Sequence, residues 1–217
     1  MAAKSYCTPG AEAEAELTEK KSRFIAAVKP VNSEAEAVAF IKERRELYPD
    51  ARHHVYAYLA ETEDGLFSRY SDDGEPQGTG GLPVFEVIRK RGLTNCAVVV
   101  TRYFGGTLLG AAGLVRAYSG SAAMCLDIAG TDEVMYCRRL DVRTDYSDSG
   151  RVRNLLGDYR GDILAEQPVY GQDVLFPVWA GEAEVDAICE KITDATASRA
   201  RIVPGPWQYI RFRKENN

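Results

Sequence analysis

RYFGGTLLGAAGLVRAYSGSAA, residues 102–123, is the stretch around which the rest of the chain arranges itself. Gly105 and Gly106 follow an apolar, strand-like run, Gly110 and Gly113 open a helix-like pattern, and Arg102 and Arg116 flank the turn. A strand that ends in glycines and turns into a helix can form an anion cradle. The first N–H groups of a helix lack internal acceptors, the helix dipole adds partial positive charge, and glycine lets a ligand approach the backbone. The string matches neither GxxxxGK[ST] nor GxGxxG, so it points to no particular phosphate ligand.

Upstream, residues 95–103 (NCAVVVTRY) hold a continuous apolar core at 97–100, as a strand covered on both faces would. Residues 82–91 predict a helix with Pro83 in its first turn, where the missing N–H has no consequence. Before it, SDDGEPQGTGG (71–81) is dense in turn formers and carries Asp72, Asp73 and Glu75. Such a loop can hold its own backbone with Asx side chains, or its carboxylates can hold Mg²⁺. Residues 53–60 and 66–70 predict a hairpin about an Asp64-Gly65 turn. His53 and His54 are the only histidines, and neighbours on a strand face opposite sides of a sheet. One ring packs inside and the other meets solvent or ligand, with His54 the candidate for moving a proton. Residues 33–48 predict the clearest helix: Ser33 and Glu36 fit a capping box, Ala37, Phe40, Ile41, Arg44 and Tyr48 share a face, and Pro49 stops it. Residues 13–31 read as two strand-like pieces around a basic knot of Lys20, Lys21 and Arg23, and residues 1–15 as a flexible N-terminus.

Downstream, residues 110–128 are crowded with Gly, Ala and Ser and place Leu114, Tyr118, Ser121 and Cys125 on one face, a helix fit to lie close on a sheet. From Cys137 the pattern begins again as strand, helix, two strands, helix, strand in under about 80 residues, the βαββαβ order of a ferredoxin-like domain. The fold class is therefore α+β in two domains, residues 16–130 and 136–217. The last strand mixes Trp207, Tyr209 and Arg211 with apolar residues, but the RNP1 pattern of RNA-reading sheets is absent.

The 217 residues are 45% hydrophobic and carry a net charge of −5. Any nucleic-acid contact must then come from a local patch. No apolar run approaches the roughly 20 residues of a membrane helix, and the N-terminus has no apolar signal core. Five scattered cysteines without a CxxC pair suit reduced thiols in the cytoplasm and argue against a zinc ribbon.

SDDGEPQGTGG, followed after a helix by VVVTRYFGGTLLGAAGLVRAYSGSA, resembles the signature of the IMPACT/YigZ family, and KSRFIA and DARHHVYAY fit it too. The resemblance covers residues 16–128. It implies a ββαββαβα first domain similar to the second domain of a small-subunit ribosomal protein, then a small domain similar to a C-terminal domain of the ribosomal translocase. Eukaryotic IMPACT proteins restrain a starvation-sensing translation kinase and carry an extra N-terminal module of RWD type, for which this sequence shows no counterpart.

Two functions follow as expectations. The first is a cytoplasmic, non-catalytic regulator linked to translation, meeting a protein or ribosome/RNA partner and needing no cofactor. The second is an enzyme or binding protein for a phosphate-containing small molecule or nucleotide. There Gly105, Gly106 and Gly110 cradle the phosphate, Arg102 and Arg116 pair with it, Asp72, Asp73 and Glu75 bring Mg²⁺, and His54 moves a proton. No nucleophile–base spacing in the sequence demands catalysis.

Overall fold

The structure, a computed structural model, describes residues 5–62 and 65–213. It divides into two units between Glu133 and Val134. In the first, β1 (Ser5–Pro9), β2 (Ala13–Glu19), β3 (Ser22–Pro30), α1 (Glu34–Leu47), β4 (His53–Thr62), β5 (Gly65–Ser71), α2 (Gly81–Lys90), β6 (Cys96–Tyr103) and α3 (Ala111–Ala129) follow in order. From β2 onward this is the ββαββαβα order implied by the resemblance.

Five strands form one sheet in the order β2-β3-β6-β4-β5, with every neighbouring pair antiparallel. The apolar run of β6 explains its central place, because both faces of this strand are covered. Val98 and Val100 join the core beneath α2 and α3, with Val84, Ile88, Leu114 and Tyr118. Ala97 and Val99 point the other way, to the core beneath α1 with Phe40 and Ile41. Period-two alternation thus divides one strand between two cores.

The α1 helix starts as its capping residues dictate. The Ser33 hydroxyl accepts from Glu36 N at 3.1 Å. The Glu36 carboxylate returns to Asn32 N at 2.7 Å, one residue before the cap amide that a standard capping box would satisfy. Leu114, Tyr118, Ser121 and Cys125 are all buried along α3. Lys20 and Lys21 form the tip between β2 and β3, both in the left-handed region with φ of 47° and 68°.

Two parts of the first unit differ from expectation. Residues 1–15 read as a flexible N-terminus, yet β1 lies within them and β2 begins at Ala13. The reason is long-range: Thr94 N donates to Cys7 O at 2.8 Å, and the Thr8 hydroxyl donates to Asn95 O at 3.1 Å. Those acceptors and donors lie some 87 residues away, beyond the reach of local sequence patterns. The expected turn at Asp64-Gly65 falls partly on residues 63 and 64, outside the described residues.

In the second unit β7 (Thr131–Thr144), α4 (Tyr146–Asp158), β8 (Ile163–Ala165), β9 (Val169–Tyr170), β10 (Val174–Gly181), α5 (Val185–Ala195) and β11 (Arg201–Arg213) build an antiparallel sheet of ferredoxin-like order. β11 pairs β7, β7 pairs β10, and both β8 and β9 pair β10. Leu140, Val142, Val174, Phe176 and Val178 pack against Val152 and Leu156 of α4 and Ile188 and Ile192 of α5. The expected single strand between α4 and β10 is broken at residues 166–168, where Pro168 has no N–H to give the ladder. Among the described residues, no helix is long and apolar enough to cross a membrane.

Candidate functional site

The site is laid out by strand register. His53 of β4 stands opposite Arg102 of β6, and Phe24 of β3 stands opposite Arg102 on its other side. Cross-strand partners share a face, so Phe24, Arg102 and His53 form one row across the α2/α3 side of the sheet. The next row, Ile25, Thr101 and His54, faces α1. The adjacent histidines are thus separated by the sheet itself.

Arg102 is 5% exposed. Its Nη1 donates to Glu75 Oε1 at 2.5 Å, and its Nη2 to Ser22 Oγ at 3.4 Å. Its guanidinium carbon sits 5.3 Å from the Phe24 ring centroid and 5.6 Å from that of Phe104, the placement of a cation over aromatic faces. The Arg102 Nε is buried without a hydrogen-bond partner. Glu75 also accepts from the Tyr118 hydroxyl at 2.7 Å. Burial, reinforced by that carboxylate, pushes the Tyr118 phenol well above its ordinary range. Arg102, Glu75 and Tyr118 therefore tie the acidic loop, β6 and α3 into one buried network.

Asp72 holds its own loop. Its Oδ2 accepts from Gly78 N at 2.8 Å, and its Oδ1 accepts from Gly80 N and Gly81 N, each at 2.9 Å. The Gly80 cap of α2 has no side chain, so Asp72 supplies the cap from eight residues upstream. Asp73 accepts from Arg45 Nη2 at 2.5 Å and from His54 N at 2.6 Å. All three acidic residues that the sequence nominates as Mg²⁺ ligands thus have carboxylate oxygens bonded to protein groups. Among the described residues, no group of three or more His, Cys, Asp or Glu side chains is placed to hold a metal ion.

Gly105 lies where only glycine fits. A Cβ there would stand 2.0 Å from the Lys21 carbonyl carbon and 2.4 Å from Ser22 N. The Gly105 amide donates to Ser22 Oγ at 3.2 Å, joining the glycine turn to the β2–β3 tip. Gly106 and Gly110 take positive φ, +83° and +74°. Gly110 caps α3 without a side-chain hydrogen bond, and the first amide of the helix to find an internal acceptor is Leu114, bonded to Gly110 O.

Between the 72–80 loop and the start of α3 lies a cleft of about 450 Å³. Glu75, Arg102 and Gly110 of the nominated residues line it, joined by Arg52, His53, Gly74, Pro76, Phe104, Leu108, Leu109, Ala111 and Leu114. Gly105 and Gly106 are in the adjoining turn. Arg116 is on the exposed side of α3 and does not line the cleft. His54 does not line it either. His53 does, with its Nδ1 2.9 Å from Asp73 O. Since a carbonyl can only accept, Nδ1 carries the proton and Nε2 is the ring's other polar atom. The register of a β4 strand paired with β6 could have distinguished the two histidines, but it is not readable from either strand alone.

His54 is 6% exposed, and its Nδ1 shares a 3.1 Å hydrogen bond with Thr101 Oγ1. Burial lowers its pKa, with Asp73 opposing and Arg45 assisting. A buried histidine whose folded pKa is depressed leaves the unfolded chain binding more protons as pH falls below about 6.5, so stability declines on acidification through that window. His54→Gln should flatten the dependence. Urea midpoints at pH 7 and pH 5 check this: a wild-type drop that persists undiminished in the variant contradicts the assignment. Burial also pushes the Cys96 thiol up to about 12, far from a nucleophile's range.

Comparison with known proteins follows the same division. A model of the Impact N-terminal domain matches residues 20–126, and one for a domain of unknown function, DUF1949, matches residues 142–199. The IMPACT family member YvyE of Bacillus subtilis is 36% identical over 206 residues, 95% of this chain and 94% of that protein. The IMPACT family member YigZ of Escherichia coli is 35% identical over 176 residues, 81% of this chain and 85% of that protein. A crystal structure of a hypothetical protein superposes with a TM-score of 0.59 at 31% identity, covering 93% of this chain and 97% of the other.

Proposed function

Because the chain belongs to the IMPACT family, we propose that it is a cytoplasmic, non-catalytic regulator linked to translation. It meets a protein or ribosomal RNA partner through the loop-rich face of its first unit. The observation that carries a binding role is the pair of apolar side chains displayed on the glycine turn: Phe104 is 45% exposed and Leu108 82% exposed. What distinguishes them is their place: both stand on one turn at the mouth of a cleft lined by Leu109 and Leu114, so together they form an apolar surface a partner could cover. The turn that carries them is anchored by Gly105 and Arg102 to Ser22, so a partner would meet them already positioned.

The bonding of the charged groups supports binding over catalysis. Asp72, Asp73, Glu75 and His54 all have polar atoms held by backbone or neighbouring side chains. Arg52 on the same face supplies a cation for an acidic or phosphate-bearing partner. Sedimentation of lysates from growing and amino-acid-starved cells, at low and moderate salt, tests the proposal. The wild type should migrate with ribosomal particles in at least the starved, low-salt sample, and a Phe104→Ser/Leu108→Ser variant should return to the top fractions. A wild type confined to the top fractions under every condition overturns the link to translation.

A further inference from the structure

The outer strands of the two units differ in how they guard their edges. An outer strand leaves the N–H and C=O groups of every second residue without a neighbour, and charges, prolines and breaks keep other chains off it. β2 carries Glu14, Glu16 and Glu19, β11 carries Pro204 and Pro206, and the edge formed by β8 and β9 is broken at residues 166–168. β5 has none of these. It ends the sheet of the first unit beyond β4 with seven unbroken residues, Gly65–Ser71, and a single charge, Arg69. Leu66 and Tyr70 are both exposed along it.

We propose that β5 pairs antiparallel with the β5 of a second copy of this chain, about a two-fold axis through Ser68. In that register the strand is its own complement. Leu66 falls opposite Tyr70 of the second copy, Phe67 opposite its Arg69, and Ser68 opposite its own counterpart. Opposed positions differ by an even number of residues, so the backbone groups that β4 leaves open meet the same set on the other strand. The faces match as well. The Tyr70 ring stands 5.5 Å from the Phe85 ring of α2, and Leu66 shares that side by alternation. Arg69 stands opposite Tyr58, which packs in the core beneath α1, so Phe67 and Arg69 share the α1 side. One side thus gains an apolar pair and the other a ring set against a cation. Arg69 also borders a hollow of about 290 Å³ between α1 and the sheet, together with Ile41, Lys42, Arg45 and Tyr56. Lys42 is paired with Glu46 and Arg45 with Asp73, whereas Arg69 has no carboxylate partner among the described residues. Neighbouring registers lose this fit. An axis at Arg69 sets two arginines against each other, and an axis at Phe67 leaves Arg69 opposite Gly65. Neither the cleft nor the link to translation enters the proposal.

Sedimentation equilibrium of the full chain tests it. An edge of seven residues makes a small interface, so the dimer should gain on the monomer between about 10 µM and about 1 mM. Over the same range, amide exchange at residues 66–70 should slow. Ser68 is exposed, so Ser68→Lys and Ser68→Glu should each keep the wild-type thermal midpoint. Each places like charges across the axis and should associate at least about tenfold more weakly. An equimolar mixture of the two sets Lys against Glu and should recover association to within about threefold of the wild type. A chain that stays monomeric at every concentration overturns the proposal and leaves the edge to a strand of some other protein. A dimer that either charged variant forms as well as the wild type places the interface elsewhere and overturns it too. A mixture that remains as weak as its components overturns the axis through Ser68.

Discussion

Arg102→Ala is expected to destabilise the first unit by about 3–5 kcal/mol, the cost of leaving one member of a buried ion pair without the other. The side chains of Arg102 and Glu75 are only 6% and 4% exposed, so each depends on the other for most of its solvation. The variant would leave the Glu75 carboxylate with the Tyr118 hydroxyl but without its cation. It would also remove the cation from between Phe24 and Phe104. Glu75→Gln offers the informative contrast, because the amide oxygen can still accept from Arg102 and Tyr118. Its loss should be smaller, since the bonds from Arg102 and Tyr118 survive and the Arg102 cation keeps its place over the Phe24 and Phe104 rings. Urea melts of the two single variants and of the double variant, read as a double-mutant cycle, check this. Independent, additive effects would show that the pair does not couple the acidic loop to β6.

The second large effect belongs to Asp72. Asp72→Ala removes the acceptor of three backbone amides at once, those of Gly78, Gly80 and Gly81. At about 1 kcal/mol for each bond, the expected loss is about 3 kcal/mol. Asp72→Asn should recover part of it, because its single carbonyl oxygen can still accept from Gly80 and Gly81, where Oδ1 serves both. Thermal melts distinguish this anchor from a surface carboxylate, whose replacement would change stability by less than about 0.5 kcal/mol. Hydrogen exchange at Gly80 and Gly81 should rise in Asp72→Ala and stay slow in Asp72→Asn. Equal exchange in both variants would show that the loop is held by something else.

These residues mark where sequence reading succeeds and where it stops. The helix at α1 was legible because its signals are local: a capping serine, a glutamate three residues on, and an apolar stripe of period 3.6. The central place of β6 was legible from an unbroken apolar run, which only a strand covered on both faces tolerates. The strand–glycine–helix turn at 102–123 was equally plain, and with it the neighbourhood of the cleft. What stayed hidden was who holds whom. Glu75 and Arg102 are 27 residues apart, and Tyr118 is 43 from Glu75. Helical spacing put Tyr118 on the buried face, and a buried phenol needs a partner for its hydroxyl, but nothing local names that partner. Asp72 looked like a ligand because an acidic cluster in a glycine-rich loop serves equally well as a cation site and as scaffolding. The one local clue was an α2 start with no Ser, Thr, Asp or Asn at its cap.

The break between β8 and β9 has a consequence for the protein in a crowded solution. An unbroken edge strand presents a ladder of open amides and carbonyls on which another chain can zip. Here the edge beside β10 runs for only three residues, Ile163–Ala165, before the interruption that contains Pro168, and for two more afterwards. Leu164, Val169 and Tyr170 are exposed on it, so the side chains alone would favour stacking with a second copy. The interruption denies that encounter a continuous hydrogen-bonded register, and the domain can display an apolar edge without seeding fibrils along it.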